Sequence, residues 1–293
     1  MHLGPLAIIK KDMVKTLFSF GHGYSAQALS RHLEPAGWRV FGTTRDPAQS
    51  GAVRASGAEP VIWPGQTVDL DGVTHLLIST APNAGGDPVL AALGDKIADR
   101  AGQFDWVGYL STTAVYGDHK GGWVDEATLP SPMAERGRWR VRAETQWQDI
   151  PGLPVHIFRL AGIYGPGRGP FSKLKRVGMR RIIKPGQVFS RIHVADIAQV
   201  LAASMASPNP GAIYNVCDDE PVPPQDVIAY AAELQGLPLP AAVPFDQADM
   251  SPMARSFYNE NKRVRNDRIK DELGIRLLYP DYRAGLQALM KDG

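Results

Sequence analysis

From residue 14 to about residue 165, β-prone runs alternate with helical runs, and this alternation constrains the fold more than any other feature of the chain. "VKTLFSF" (14–20), "GWRVFGTT" (37–44), "EPVIW" (59–63), "THLLIST" (74–80), "FDWVGYLST" (104–112) and "PVHIFRL" (154–160) read as strands. The 74–80 run is apolar almost throughout, the pattern of a strand buried on both faces. Between these runs, "GHGYSAQALSRHL" places Ala26, Leu29 and Leu33 at helical spacing. "DPAQSGAVRASG" (46–57), "PVLAALGDKIADR" (88–100) and "RWRVRAETQWQ" (138–148) read as further helices. Strands alternating with helices imply βαβ units, and so an α/β fold with a doubly wound parallel sheet.

Beyond residue 165 the pattern is less regular. "GPGRGPF" reads as a loop, "KLKRVGMRRIIK" (173–184) as a basic segment, and "VFSRIHVADIAQVLAASM" (188–205) as a strand entering a helix. "AIYNVC" (212–217) is a strand and "PQDVIAYAAELQG" (224–236) a helix, while "NKRVRNDRIKDELGI" (261–275) is a helix whose last turn meets Gly274. The expected division is an amino-terminal extension (1–13), a dinucleotide-binding domain (14–170) and a smaller α/β lobe (171–293) that partly returns to the main sheet. Met13 directly precedes the first strand, so residues 1–12 read as an extension or a mis-set start.

Bulk properties narrow the function. The 293 residues are 44% apolar and 21% charged, as in a soluble globular protein. With 32 basic and 30 acidic residues the net charge is only +2, which argues against a nucleic-acid binder. Cys217 is the sole cysteine, so no intrachain disulfide or cysteine-based zinc site forms, and the seven histidines include no ligand-spaced pair. No metal site is expected. No apolar run approaches the roughly 20 residues needed to cross a bilayer. The positive charges near the amino terminus follow a short apolar patch, the reverse of a secretory signal, so no membrane association and a cytoplasmic location are expected.

Gly21, Gly23 and Ala26 form G-x-G-x-x-A at the first strand–helix junction. One glycine permits the tight turn, the second lets backbone approach a pyrophosphate, and the small third residue lets helix and strand pack closely. The helix amino end then offers unpaired N–H groups to phosphate. At the end of the second strand, where an NAD site typically has an acid, this chain has Thr43, Thr44 and Arg45. A guanidinium beside a hydroxyl suits a 2′-phosphate. NADP is therefore the expected cofactor, with NAD the alternative.

The strings "FGHGYSAQAL", "YLSTTAVYGDHKGGWVDE", "FRLAGIYGPGR", "RIHVADIA" and "YNVCDDEP", in order over residues 18–221, resemble the short-chain dehydrogenase/reductase superfamily. The branch they resemble is its extended or atypical NAD-dependent epimerase/dehydratase group. The resemblance implies a Rossmann sheet and cofactor contacts from Gly21, His22, Gly23, Tyr24, Ser25, Thr44, Arg45, Trp63, Ser79, Thr80, Ala81, Ser111, Arg140, Leu160 and Ala161. It also implies a catalytic hydroxyl three residues before Val115, which is Thr112.

The family then carries Tyr-x-x-x-Lys, often with a glutamate four residues later. Anchoring on Glu144 puts Arg140 at the lysine position and Arg136 at the tyrosine position. Spacing of i, i+4 places all three on one helical face, leaving Arg138 and Arg142 for water. Tyrosine can act as an acid/base beside a cation, whereas arginine stays protonated. Arg136 can therefore donate hydrogen bonds but cannot shuttle a proton.

Tyr116, Tyr164 and His193 are expected to pack rather than react. Many nucleotide-sugar members have an arginine where this chain has Phe189, which argues against that substrate class. The basic segment from Lys173 to Lys184 is either an anion receiver or a solvated face. The implied function is an atypical NAD(P)-binding oxidoreductase acting on a small polar, anionic substrate, as a monomer or homodimer. Thr112 would orient the carbonyl, Arg136 would stabilise oxyanion charge and Arg140 would hold the ribose, with the proton supplied by water or substrate. The alternative is a non-catalytic NADP-binding redox sensor or regulatory module.

Overall fold

The computed structural model describes residues 14–174 and 179–291, with Lys173 described by its backbone alone. The expected extension (1–13), Lys175, Arg176 and the Lys173 side chain lie outside the described residues. β1 (Thr16–Phe20) leads into α1 (Tyr24–Leu33), β2 (Arg39–Thr44) into α2 (Ser50–Arg54), and β3 (Glu59–Ile62) through a loop to β4 (His75–Ile78). Next come α3 (Pro88–Ala98), β5 (Trp106–Thr112), β6 (Trp123–Val124), α4 (Glu135–Gln148) and β7 (Val155–Leu160). The rest carries β8 (Gly162–Tyr164), α5 (Pro170–Leu174), β9 (Arg181–Ile183), β10 (Arg191–His193), α6 (Val194–Ala206) and β11 (Ile213–Val216). It ends with α7 (Pro224–Leu234), β12 (Ala242–Pro244), α8 (Pro252–Ser256), β13 (Arg263–Val264), α9 (Asp267–Leu273) and α10 (Tyr282–Lys291).

The main sheet has the order β11-β7-β5-β4-β1-β2-β3, with every neighbouring pair parallel. This is the doubly wound Rossmann arrangement. Strand order reverses between β1 and β4, and the crevice outside the carboxyl ends at such a switch point is where folds of this kind hold ligands. β11 comes from beyond residue 171 and forms one edge of the main sheet beside β7.

Both sheet faces are apolar. Leu17, Leu77 and Phe158 pack on one side with Leu29 of α1 and Ile197 and Leu201 of α6. Phe20, Leu76 and Tyr109 pack on the other with Val89 of α3 and Trp147 of α4. Helix ends follow local chemistry: Asp87 caps α3 by accepting from the Val89 and Leu90 amides, and α9 stops at Gly274 in the left-handed region (φ 64°). The helix expected over 46–57 is shorter. Asp46 and Pro47 begin a 3₁₀ turn, and only Ser50–Arg54 are α-helical. Residues 63–74, which join β3 to β4, form no helix, and among the described residues a hollow of about 660 Å³ is lined by Phe18, Phe41 and Val61. Among the described residues no helix is long and apolar enough to cross a membrane, and no group of three or more His, Cys, Asp or Glu side chains is arranged to hold a metal ion.

Two buried histidines set an acid limit. His75 packs edge-on to Trp38 and bonds Thr74 Oγ1 (2.8 Å), and His22 bonds Ser56 Oγ (3.0 Å). Burial pushes both from 6.5 down to about 4. A depressed folded-state pKa gives stability that is fully present above 6.5 and is lost as pH falls towards 4. Each histidine is expected to cost on the order of 3 kcal/mol by pH 4. Denaturant unfolding between pH 7 and pH 4 checks this: a flat profile for the parent, or an unchanged slope in His75→Gln, contradicts it.

Candidate cofactor site

The glycine turn follows β1 and enters α1. Gly21 has φ 75°, and a Cβ there would lie 3.0 Å from the Thr80 amide nitrogen and 3.1 Å from the Ser79 carbonyl carbon. Only glycine fits both the angle and the approach. Gly23 is the α1 N-cap, no side chain caps that helix end, and a Cβ at Gly23 would meet only Gly21 O, at 3.8 Å. The position is exposed, and the amino end of α1 is open to an anion. Thr43 ties the turn down: its hydroxyl accepts from the Gly21 amide (2.7 Å) and its carbonyl from the His22 amide (2.9 Å). Sequence reading treated Thr43 only as a strand end, and nothing local to it signals this bond.

His22 is engaged by the protein itself. Its ring is buried against Gly42, where a Cβ would collide with it, and its amide is spent on Thr43. The Ser111 hydroxyl is likewise buried and donates to Glu144 Oε1.

The other expected contacts surround the carboxyl ends of β1, β2, β3, β4 and β7. Tyr24 and Ser25 open α1, with Ser25 buried beneath it. The Thr44 hydroxyl donates to Asp46 O (3.1 Å), while Arg45 is exposed and makes no hydrogen bond or ion pair with a described residue. Trp63 donates its amide to Thr44 O (2.9 Å) and sets its ring edge-on to Phe20. The Ser79 amide donates to Phe20 O, Thr80 Oγ1 is buried without a partner, and Ala81 is exposed. Leu160 and Ala161 are buried at the end of β7.

α4 divides its arginines as the spacing predicts for Arg140, Arg138 and Arg142. Arg140 Nη1 donates to Leu110 O (2.6 Å), Tyr109 Oη (3.2 Å) and Thr80 O (3.4 Å), beside the glycine turn. The rest of its fork makes no bond to a described residue. Arg138 and Arg142 are exposed, Arg138 donating to Met133 O. Arg136 is also exposed and is not brought into bonding contact with Thr112 or Arg140. Thr112 stands at the carboxyl end of β5, where its hydroxyl accepts from the Ala114 amide (3.2 Å).

Beneath these residues lies a network that sequence reading missed. Arg159 of β7 donates from Nη2 to Glu144 Oε2 (2.7 Å) and from Nε to Oε1 (3.2 Å), both side chains being almost wholly buried. Its Nη1 donates to Tyr116 Oη (3.0 Å), which donates to Asn215 Oδ1 (2.7 Å). Burial pushes the Tyr116 hydroxyl up to about 12, so it is a fixed donor and not an acid/base. The signal was a lone arginine in the apolar run "VHIFRL", since a buried guanidinium needs a carboxylate.

Tyr164 packs against His193 and Gly285, and His193 caps α6 by accepting from the Ala195 amide. Phe189 stacks edge-on with Tyr258. In the basic segment, Arg181 donates to Pro240 O and Lys184 to Tyr258 O, which leaves Arg180 exposed.

No family model matches the chain. A solved structure from Silicibacter pomeroyi DSS, described as a functionally unknown conserved protein, is 76% identical with a TM-score of 0.94, over 95% of this chain and 99% of that one. The chain belongs to the same family as that protein. Protein YeeZ of Escherichia coli (strain K12) is 29% identical over 288 residues, 92% of this chain and 97% of that protein. At the level of fold alone, the human epimerase family protein SDR39U1, solved with NADPH, superposes with a TM-score of 0.73 at 15% identity, over 94% of this chain and 99% of that one. The fold is that of the extended short-chain dehydrogenases/reductases and NAD-dependent epimerases/dehydratases.

Proposed function

We propose that the chain binds NADP at the β1–α1 turn and is an atypical oxidoreductase of epimerase/dehydratase type, acting on a small polar, anionic substrate. The open glycine turn carries this reading: a φ of 75° at Gly21, free space at Gly23 and an uncapped helix end suit a pyrophosphate. Arg45 has no hydrogen-bond or ion-pair partner among the described residues, whereas the carboxylate of neighbouring Asp46 is engaged by the Ala48 amide. That combination suits a 2′-phosphate better than a ribose hydroxyl. SDR39U1 with NADPH is consistent with it.

A bound nicotinamide supplies or accepts a hydride. Arg140, fixed by Nη1, would hold the ribose with the remainder of its guanidinium. Arg136 donates hydrogen bonds to a substrate anion but holds its own proton. The proton therefore moves between substrate and water.

Arg136 stays exposed and the Thr112 hydroxyl already accepts from an amide, which favours a second reading, a non-catalytic NADP-binding sensor. Steady NADPH oxidation with a panel of carbonyl metabolites separates the two: turnover supports the enzyme, and tight binding without turnover supports the sensor. Under either, NADPH is expected to bind at least tenfold tighter than NADH, about 1.4 kcal/mol. Arg45→Ala is expected to remove most of that margin. Equal affinities in the parent protein end the NADP assignment.

A further inference from the structure

The loop after β8, residues 165–169, reaches across to the start of α1. Gly165 and Arg168 exchange backbone hydrogen bonds (2.8 and 3.0 Å), making a tight turn with Gly167 at φ 69°. Tyr24, the first residue of α1, donates its hydroxyl to Pro166 O (2.9 Å). The contact is close-packed, since a Cβ at Gly165 would lie 2.6 Å from the Tyr24 hydroxyl and 2.7 Å from Val194 Cγ1. The Arg168 guanidinium carbon lies 5.6 Å from the centroid of the Tyr24 ring. That is within cation–π range.

Among the described residues no acid pairs with Arg168. Its side chain is exposed and makes no hydrogen bond or ion pair with a described residue. It is instead held beside the amino end of α1, whose unpaired N–H groups also carry positive character. Two like-signed groups placed side by side are unfavourable until an anion lies between them. The cradle is where the proposed cofactor's pyrophosphate goes.

We propose that Arg168 is a further cofactor-binding residue: it neutralises the pyrophosphate from the side opposite the glycine turn, and Tyr24 positions it. This rests on the dinucleotide reading above. It assigns a part of the site to the loop that follows β8, which the strand–turn–helix pattern does not include. The two cations then divide the cofactor. Arg45 meets the 2′-phosphate, present only in NADP, and Arg168 meets the pyrophosphate, common to both dinucleotides.

The division gives the test. Titrations of the full chain with NADPH, NADH and 2′-AMP, which lacks the pyrophosphate, are run on the parent, Arg168→Gln and Arg45→Ala. Arg168→Gln is expected to weaken NADPH and NADH alike by about tenfold, the scale of one charge-assisted hydrogen bond, and to leave 2′-AMP unchanged. It is also expected to flatten the salt dependence of NADPH binding. Arg45→Ala is expected to weaken NADPH and 2′-AMP and to spare NADH. If the parent binds both dinucleotides and Arg168→Gln binds them equally well, this inference is overturned and the cofactor reading stands. If Arg168→Gln loses 2′-AMP affinity as strongly as NADPH affinity, Arg168 acts elsewhere and the inference also falls. If the parent binds neither dinucleotide, the cofactor reading itself fails.

Discussion

Gly23→Val is expected to raise the dissociation constant for NADPH more than a hundredfold, above about 2.7 kcal/mol, while the chain stays folded. Gly23 has φ −91° and ψ −159°, extended backbone open to any residue. A Cβ there meets no described atom closer than Gly21 O, at 3.8 Å. The folded state therefore has room for valine, and the cost is a poorer N-cap, a few tenths of a kcal/mol to about 1. The space the valine fills lies in front of the uncapped α1 end, where a pyrophosphate must come within hydrogen-bonding distance of backbone N–H. Gly21→Ala is the less informative variant, because it forces a left-handed residue against Thr80 and mixes folding with binding. Fluorescence titration with circular dichroism checks both halves. Undiminished NADPH affinity in a folded Gly23→Val protein places the cradle elsewhere.

The glycine turn was legible in the sequence because its signature is local: two glycines, a small residue and a helix start within six residues. The sheet was legible because strands buried on both faces must be continuously apolar. What failed to show depends on partners far along the chain. His22 looked like a cradle residue, but Gly42 leaves a hole in β2 that its ring fills. Ser111 was assigned to the cofactor and Thr112 to catalysis in the same crevice, although successive strand residues point to opposite faces. Thr112 ends the strand at the crevice, and Ser111 accordingly turns inward to Glu144. Arg140 was found by its spacing from Glu144. Its partners, Leu110 and Thr80, lie 30 and 60 residues earlier, so spacing gave the position without the bonds.

Glu144 carries the second large effect, because it joins fold to site. Its carboxylate is shared by Arg159 and Ser111 and links α4 to β7 and β5, and through Arg159 and Tyr116 the network reaches Asn215 on β11. Glu144→Ala leaves the Arg159 guanidinium buried with only the Tyr116 hydroxyl and its ring, 4.9 Å away. Stranding a buried charge costs about 3–5 kcal/mol. Urea unfolding at pH 7 is expected to show a loss of that size, and Arg159→Met a comparable one. The double variant Glu144→Leu with Arg159→Met is expected to recover much of it, because two apolar groups of similar volume need no counter-charge. Arg140 lies one helical turn before Glu144, so a loosened α4 also withdraws Arg140 from Leu110 and Thr80. Any Glu144→Ala protein that remains folded should therefore bind NADPH more weakly, although Glu144 itself faces the core. A Glu144→Ala protein within 1 kcal/mol of the parent would mean that the pair contributes little and that packing alone holds α4 in register.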